Sequence, residues 1–207
     1  LSQLPFDGSL YHHHVCRCEP KLLGFECQQV LRDALDRYDY YCYLEDDLVL
    51  HDPLFFLKLA WFNIHAGMER LLQPNRYETP GMVVGRKLYV DGDLRPQVSD
   101  RLLEQRLLPE LRWNVLAAEI VFRGALNPHA GCFFVTAAQM CHWAAQPWFC
   151  DRDTSFIGPL ESAATLGILR TFQIYKPALE DAAFLEIQHY GEGYLGYAGG
   201  GLPFVGE

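Results

Sequence analysis

The stretch that most constrains the fold is Tyr40–Leu50, YYCYLEDDLVL, in which an apolar and aromatic run ends in three adjacent acids. The short continuous run Asp39–Leu44 predicts a strand that is covered on both faces, as in sheets that carry helices on either side. The acids Glu45, Asp46 and Asp47 would then lie at the C-terminal end of this strand, where open α/β sheets bind their ligands. Adjacent carboxylates repel one another, so the pattern also calls for a cation or a substrate that offsets their charge.

Helical and strand patterns alternate along the rest of the chain. Asp52 followed by Pro53 is typical of a helix start. Helices are predicted at residues 25–38, 54–62, 100–113 (broken or kinked at Pro109), 136–145 (capped by Thr136) and 161–169, and strands at residues 39–44, 70–73, 82–90, 132–135 and 172–175. The alternation predicts one α/β domain over residues 1–207, with a mostly parallel central sheet flanked by helices. The glycine-rich and aromatic tail, residues 190–207, is expected to be irregular.

Composition excludes several classes of protein. Half of the 207 residues are hydrophobic, which is typical of a globular chain. No window approaches the roughly 18 uninterrupted apolar residues of a membrane span, so we expect no transmembrane segment. A formal charge of −9 without a basic patch also argues against a nucleic-acid partner. The seven cysteines, an odd number with several inside apolar runs, indicate reduced core thiols and favour a cytoplasmic protein, with a truncated luminal domain as the alternative.

The three acids suit a hard divalent cation. Mg²⁺ and Mn²⁺ prefer carboxylate oxygens and keep coordination positions open for water and phosphate. A carboxylate pair at the end of a strand can therefore hold a metal ion that neutralises a diphosphate. The alternative is a solvated acidic turn, but such turns are rich in Gly, Asn and Ser, whereas this one is flanked by apolar runs.

The segment LEDDLVLHDPLFF, residues 44–56, resembles the DXD metal-binding motif of GT-A-fold glycosyltransferases, and its three acids are similar to those of the N-acetylglucosaminyltransferases. In that family the motif ends a central strand and precedes a helix. The resemblance implies that Asp47 binds Mn²⁺ or Mg²⁺, while Glu45 and Asp46 contact a nucleotide-sugar donor. It also implies a GT-A-like catalytic domain that transfers a hexosyl or N-acetylhexosaminyl group to a hydroxyl of a glycan, protein or small-molecule acceptor.

Asn127–Val135, NPHAGCFFV, resembles the glycine loop of the same fold, which lies against donor and acceptor. Gly131 would let the backbone come close to a sugar, although an ordinary turn before a core strand explains it equally well. His129 is the polar residue with most chemical scope in this loop. It could bond a sugar hydroxyl or a phosphate, or it could be a surface histidine.

Gly158–Gly167, GPLESAATLG, places Glu161 where members of the family carry an acid pair at the start of a helix. In inverting members the second acid is the general base, but here that position is Ser162. Either Glu161 itself takes the acceptor proton, or the enzyme retains configuration and needs no base there. In the simpler interpretation, the negative charge of Glu161 stabilises the helix by interacting with the positive end of its dipole.

His189, in FLEIQHYG, occupies the place of the late histidine that GT-A enzymes often bring back to the metal ion. A neutral imidazole is a good ligand for Mn²⁺, so His189 would bind the metal ion together with Asp47. The alternative is a histidine with a structural role near the end of the fold.

The resemblance is weakest on the N-terminal side. Only 44 residues precede the acids, whereas this fold places further strand–helix units there to hold the nucleotide base. The N-terminal part is therefore expected to be incomplete or unusual. Two other functions stay open: another metal-dependent enzyme on phosphate substrates, such as a nucleotidyltransferase or phosphatase, and a non-catalytic sugar-binding module in which the acids hold a structural cation.

Overall fold

The protein is described by a computed structural model that covers residues 7–79, 87–92, 94, 104–191, 193–194 and 204–205. The helices in these ranges are α1 (Leu23–Asp33), α2 (Phe55–Ala66), α3 (Ala137–Ala144) and α4 (Pro159–Thr171), with short 3-10 helices at Pro20–Leu22 and Leu179–Phe184. The strands are β1 (Tyr40–Leu44), β2 (Leu48–Val49), β3 (Arg70–Leu72), β4 (Asn75–Glu78), β5 (Lys87–Tyr89), β6 (Leu111–Val115), β7 (Ala118–Gly124), β8 (Cys132–Thr136), β9 (Gln173–Pro177), β10 (Glu186–His189) and β11 (Phe204–Val205).

The strands of the described residues form three sheets. One is the pair β1–β8, the second has the order β11-β5-β4-β10-β2, and the third has the order β3-β9-β7-β6. Only β4 with β10 and β3 with β9 run parallel among the pairs seen here. The mixed α/β class is thus confirmed, but the prediction of a mostly parallel sheet is wrong. Apolar runs report burial on both faces of a strand, and they carry no information about strand direction.

In the central pair β1–β8, strand β8 is buried on both faces, whereas the predicted cover of β1 is found on one face: Tyr41 and Tyr43 are buried, Tyr40 and Cys42 half-buried and Leu44 44% exposed. The register of the pair runs from Tyr40 opposite Thr136 to Leu44 opposite Cys132. On one side, alternate side chains of the pair join a core cluster with residues of α3 and α4. On the other side, the remaining side chains pack with the buried phenylalanines of α2. Burying one large apolar side chain of this kind contributes about 1.5–3 kcal/mol, so this pair anchors both halves of the core.

The helix predictions hold in type, but the observed boundaries shift. Thr136 caps α3 through a reciprocal capping box with Gln139, as its position suggested. Asp52 instead precedes α2 by a turn, accepting the Leu54 N–H at 2.8 Å, so the helix begins at Phe55.

The helix predicted at residues 100–113 is wrong over its second half. Residues 104–106 are helical, but Leu111–Val115 forms strand β6, and residues 100–103 lie outside the described part of the chain. Pro109 ends the helical pattern, and beyond it Arg112 and Asn114 are exposed while the alternating neighbours are half-buried. The hairpin turn to β7 contains Leu116 at φ 56°. This left-handed conformation is uncommon for leucine, so the sequence does not predict a turn at this residue.

The remaining predictions give mixed results. All seven thiols are free, but Cys132 is the one that is buried, while Cys27 and Cys141 are exposed. Cys42 and Cys150 pack, half-buried, against the core, so the expectation of reduced core cysteines holds for three of the seven. In the tail, Phe204–Val205 pairs with β5, whereas most of residues 195–207 and the predicted strand residues 82–86 lie outside the described ranges. None of the helices seen in those ranges has the length and apolar character needed to cross a membrane.

A buried ion cluster joins β4, β9 and the segment after β5. Asp91 accepts hydrogen bonds from Arg76 Nε at 2.9 Å and from Lys176 Nζ at 2.8 Å. The three side chains are 4–8% exposed. Burial opposes ionisation of Asp91, but Lys176 and Arg76 outweigh it and hold the pKa of Asp91 at about 2. Lys176 also donates to the carbonyl of His129 at 2.9 Å, which ties the cluster to the glycine loop.

Asp91→Ala should lower the free energy of unfolding by about 3–5 kcal/mol, because it leaves two cations buried without their anion. Urea denaturation at pH 7 measures the loss. Asp33→Ala, on the exposed face of α1, is the matched control and should change stability little. Equal effects of the two substitutions would contradict a structural role for the cluster.

Candidate functional site

The acids lie where strand β1 ends and β2 begins. The Glu45 N–H donates to the Gly131 carbonyl at 3.0 Å, and the Leu48 N–H donates back to the Glu45 carbonyl at 3.2 Å. Strand β2 then pairs antiparallel with β10, so that Leu48 lies opposite His189. Two segments separated by about 140 residues therefore meet at the acidic turn.

The structure brings the two predicted metal ligands together. Asp47 Oδ2 lies 3.3 Å from His189 Nε2, and the Tyr190 N–H donates to the Asp47 carbonyl at 2.6 Å. The other carboxylate oxygen, Asp47 Oδ1, is shielded from solvent and has no hydrogen-bond partner among the described residues. A shielded carboxylate oxygen without a partner is unfavourable, so this atom marks the place where a cation would be stabilising.

The orientation of His189 suits a metal ion. Its Nδ1 lies 2.9 Å from Glu78 Oε1. An ionised carboxylate only accepts hydrogen bonds, so Nδ1 carries a hydrogen toward Glu78, and Nε2 is the nitrogen that faces Asp47 and that a metal ion would bind in place of a proton. Two atoms bound to one Mg²⁺ at adjacent octahedral positions lie about 3 Å apart, which is close to the observed 3.3 Å.

A complete metal cage is not formed by the protein alone. Within the described residues, no group of three or more His, Cys, Asp or Glu side chains is arranged to hold a metal ion. Asp47 and His189 would supply two ligands, and the remaining positions would belong to water and phosphate oxygens. The residues thus fit an open site, and metal binding itself stays a prediction.

Glu45 lies at the same site, and its side chain explains why residue 131 is a glycine. A Cβ atom on Gly131 would lie 2.5 Å from Glu45 Oε2, and the backbone of Gly131 has φ +63°. Burial raises the pKa of Glu45; Arg76 opposes the rise, while Asp47 and Glu161 add to it. The close approach of the Glu45 side chain is therefore sufficient to require a glycine at position 131. A close approach of a sugar to the backbone is not needed to explain it. Asp46, the middle acid, is exposed on the turn.

Glu161 lies in the first turn of α4, close enough for its charge to act on Glu45. Its carboxylate makes no hydrogen bond within the part of the chain that the structure describes. Ser162, at the position of the expected second acid, is fully buried and bonds both the N–H and the carbonyl of Phe156 at 3.1 and 3.0 Å. That position therefore shapes the turn before α4, whereas Glu161 Oε2 lies against Gly158, 2.7 Å from where a Cβ on that glycine would be.

His129 lies behind the loop rather than on the surface. It is 8% exposed, and its Nδ1 is 3.0 Å from Thr165 Oγ1 on α4. Burial is the main cause that lowers the pKa of His129 to about 3, and Arg76 and Lys176 also lower it while Asp91 opposes them. The alternative of a surface histidine is wrong, and a contact with the donor stays a prediction. The observed bonds give His129 a role in holding the glycine loop against α4.

A cavity of about 670 Å³ lies elsewhere, on the far side of the Asp91 ion cluster. Among the described residues that line it are Asp91, Arg123, Asn127 and Lys176, and none of the predicted site residues. Its charged groups are largely satisfied already, since Arg123 pairs with two glutamates and Lys176 with Asp91. The unpaired oxygen of Asp47 lies at the acidic turn, so we place the candidate site there.

Comparison of the chain with family models, with curated proteins and with solved structures gives no match. The likeness to GT-A enzymes therefore depends on the motifs and their order along the chain. The sequence interpretation also missed Glu78 and Arg76, the polar residues of NRYE in β4. No motif marks them, although a lone acid that ends a short strand beside apolar residues is a weak signal of a buried polar contact.

Gly131→Ala should cost about 1–2 kcal/mol for the left-handed backbone alone, and more through the contact with Glu45. Glu45→Ala added to it should restore part of the stability, with a coupling of about 0.5 kcal/mol or more. Urea denaturation of the two single variants and the double variant measures this coupling. Strict additivity would contradict the contact.

His129 should make stability depend on pH. Its pKa is depressed in the folded state, so the unfolded chain binds the proton more readily between about pH 6.5 and pH 3. The contribution is present above about pH 6.5 and is lost as the pH falls, by up to about 1.4 kcal/mol per pH unit. Unfolding free energies at pH 7.5 and pH 5 should therefore differ more for the wild type than for His129→Gln. Parallel pH curves would be inconsistent with a neutral buried histidine.

Proposed function

We propose that the protein is a metal-dependent glycosyltransferase that uses nucleotide-sugar donors, and that the acidic turn is its donor site. The single observation that carries the proposal is the pair Asp47–His189, with atoms 3.3 Å apart and one shielded carboxylate oxygen left without a partner. The resemblance of residues 44–56 to the DXD motif supplies the class of donor. Mn²⁺ or Mg²⁺ is the cofactor that this pair of ligands fits.

The residues divide the work by position. Asp47 and His189 hold the metal ion, which when bound neutralises the donor diphosphate and the charge that builds on the leaving group. Glu45 and Asp46 lie on the same turn, where donor hydroxyl groups would approach. Glu45 lies directly against the glycine loop, since a Cβ added to Gly131 would be 2.5 Å from Glu45 Oε2, so loop and acids form one surface.

Glu161 is the carboxylate that supports the transfer step. It lies within electrostatic range of Glu45, and its oxygens are not engaged by a hydrogen bond within the described residues. In an inverting reaction it would accept the proton of the acceptor hydroxyl as that oxygen attacks the anomeric carbon. In a retaining reaction, no base is needed at its position.

Asp47→Asn should abolish metal-dependent turnover of nucleotide sugars. It keeps the shape of the side chain but removes the charge that holds the cation, and metal ions contribute several kcal/mol of transition-state stabilisation. We expect a loss of about 100-fold or more in donor hydrolysis, with the unfolding midpoint unchanged. The assay is a panel of nucleotide sugars with and without Mn²⁺, which also reports binding as a rise in the unfolding midpoint.

Asp52→Asn is the matched control. It makes the same chemical change five residues further on, at a side chain that bonds Leu54 and Lys58; an asparagine oxygen still accepts the Leu54 N–H, and metal-dependent turnover should be unchanged although the ion pair with Lys58 is lost. Turnover of nucleoside triphosphates or phosphate monoesters without sugar transfer would instead support the other metal-dependent enzyme class. Metal-dependent sugar binding without any turnover would support the binding module.

A further inference from the structure

Glu78 is a buried acid at the end of β4. Its side chain is 0% exposed. Strands β4 and β10 run parallel with Tyr77 opposite Gln188, which places Glu78 beside His189. Besides the His189 ring, the carboxylate accepts the N–H of Tyr194, at 3.2 Å to Oε1 and 3.0 Å to Oε2.

A fully buried carboxylate is costly unless its oxygens are well bonded. Here both oxygens are engaged, and the partners are a histidine ring and a backbone N–H of the segment that follows the histidine. An apolar residue would serve packing better at the end of a strand. A carboxylate at position 78 is explained if its role is to fix the orientation of the His189 ring.

The segment after His189 closes back onto the same two acids. The Tyr190 N–H bonds the Asp47 carbonyl, and the Tyr194 N–H bonds the Glu78 carboxylate. The ring of Tyr194 also meets the His189 ring edge-on, with centroids 5.5 Å apart. His189 is therefore held between Asp47 and Glu78 by its ring and by the backbone that follows it.

We propose that Glu78 is the positioning residue of the candidate metal site. By accepting the hydrogen on Nδ1, it keeps His189 Nε2 directed at Asp47, as the nitrogen that would bind the metal ion, and it anchors the backbone at Tyr194. A carboxylate bonded to the second nitrogen of a histidine is a common device for fixing the tautomer and orientation of a metal-binding ring. The inference rests on the proposed function, since it assigns Glu78 a part in that same site.

Glu78→Gln tests the inference with little change in volume. A glutamine amide can donate to Nδ1, which shifts the ring hydrogen to Nε2 and blocks the lone pair. The expected result is a 10–100-fold weaker affinity for Mn²⁺, about the loss that follows removal of such a partner, measured by electron paramagnetic resonance of free Mn²⁺. Unfolding curves establish that the variant is folded; if it is not, Glu78→Asp, which withdraws the carboxylate from the ring, should show the same loss.

Glu186→Gln is the matched control. It makes the same change on β10, three residues before His189, at a side chain that bonds Lys87 and Tyr89. It should leave Mn²⁺ affinity within about twofold of the wild type, a difference of well under 1 kcal/mol. Equal losses in both glutamine variants would overturn the assignment, because they would reflect general charge removal.

A second measurement needs no metal ion and no activity. Nitrogen-15 spectra of the histidine rings, assigned with His189→Ala, report which ring nitrogen carries the hydrogen. We expect a hydrogen on Nδ1 of His189, bonded to residue 78, in the wild type and in Glu186→Gln, and its loss from Nδ1 in Glu78→Gln, together with faster exchange of the Tyr194 amide. An unchanged tautomer in Glu78→Gln overturns the inference even if the protein binds no Mn²⁺, whereas failure of the wild type to bind Mn²⁺ with the tautomer shift intact overturns only the proposed function.

Discussion

The antiparallel pairing of β1 with β8 is the interaction on which the rest of the structure depends. It is clamped between two core clusters, one with α3 and α4 and the other with α2. Because the two faces of the pair belong to different clusters, its register cannot slip without moving every side chain into the wrong cluster. Its end is therefore a fixed point, and the acidic turn and the glycine loop both begin there, joined by the bond between Glu45 N–H and the Gly131 carbonyl.

Two groups of opposite charge lie on either side of the glycine loop. Behind it, Arg76 and Lys176 both bond the buried carboxylate of Asp91. In front of it are the acids of the turn, and Arg76 opposes the burial-driven rise in the pKa of Glu45. Arg76 therefore offsets part of the cost of burying Glu45, whereas Asp47 Oδ1 has no hydrogen-bond partner among the described residues.

The residues of the candidate site differ in how far the sequence could predict them. Asp47 could be found because it interrupts an apolar run, and His189 because it follows one. For His129 the sequence left a surface position open, yet the side chain is enclosed by α4 and the ion cluster, neither of which is local in sequence. Glu78 could not be predicted from the sequence, because its contact with His189 depends on the parallel pairing of β4 with β10, which lie more than 100 residues apart.

By itself, the sequence determined the type and approximate place of several segments: the strand Tyr40–Leu44, the capped helix after Thr136 and the helix containing Glu161 follow from local patterns of apolar and capping residues. The tertiary structure alone decided the direction of the strands, the strand at Leu111–Val115 and the neighbours of each acid. The physical reason is that burial and capping act within a few residues, whereas strand pairing and charge compensation join residues that are distant along the chain. The 3.3 Å approach of Asp47 to His189 joins two residues that are distant along the chain, so only the tertiary structure shows it.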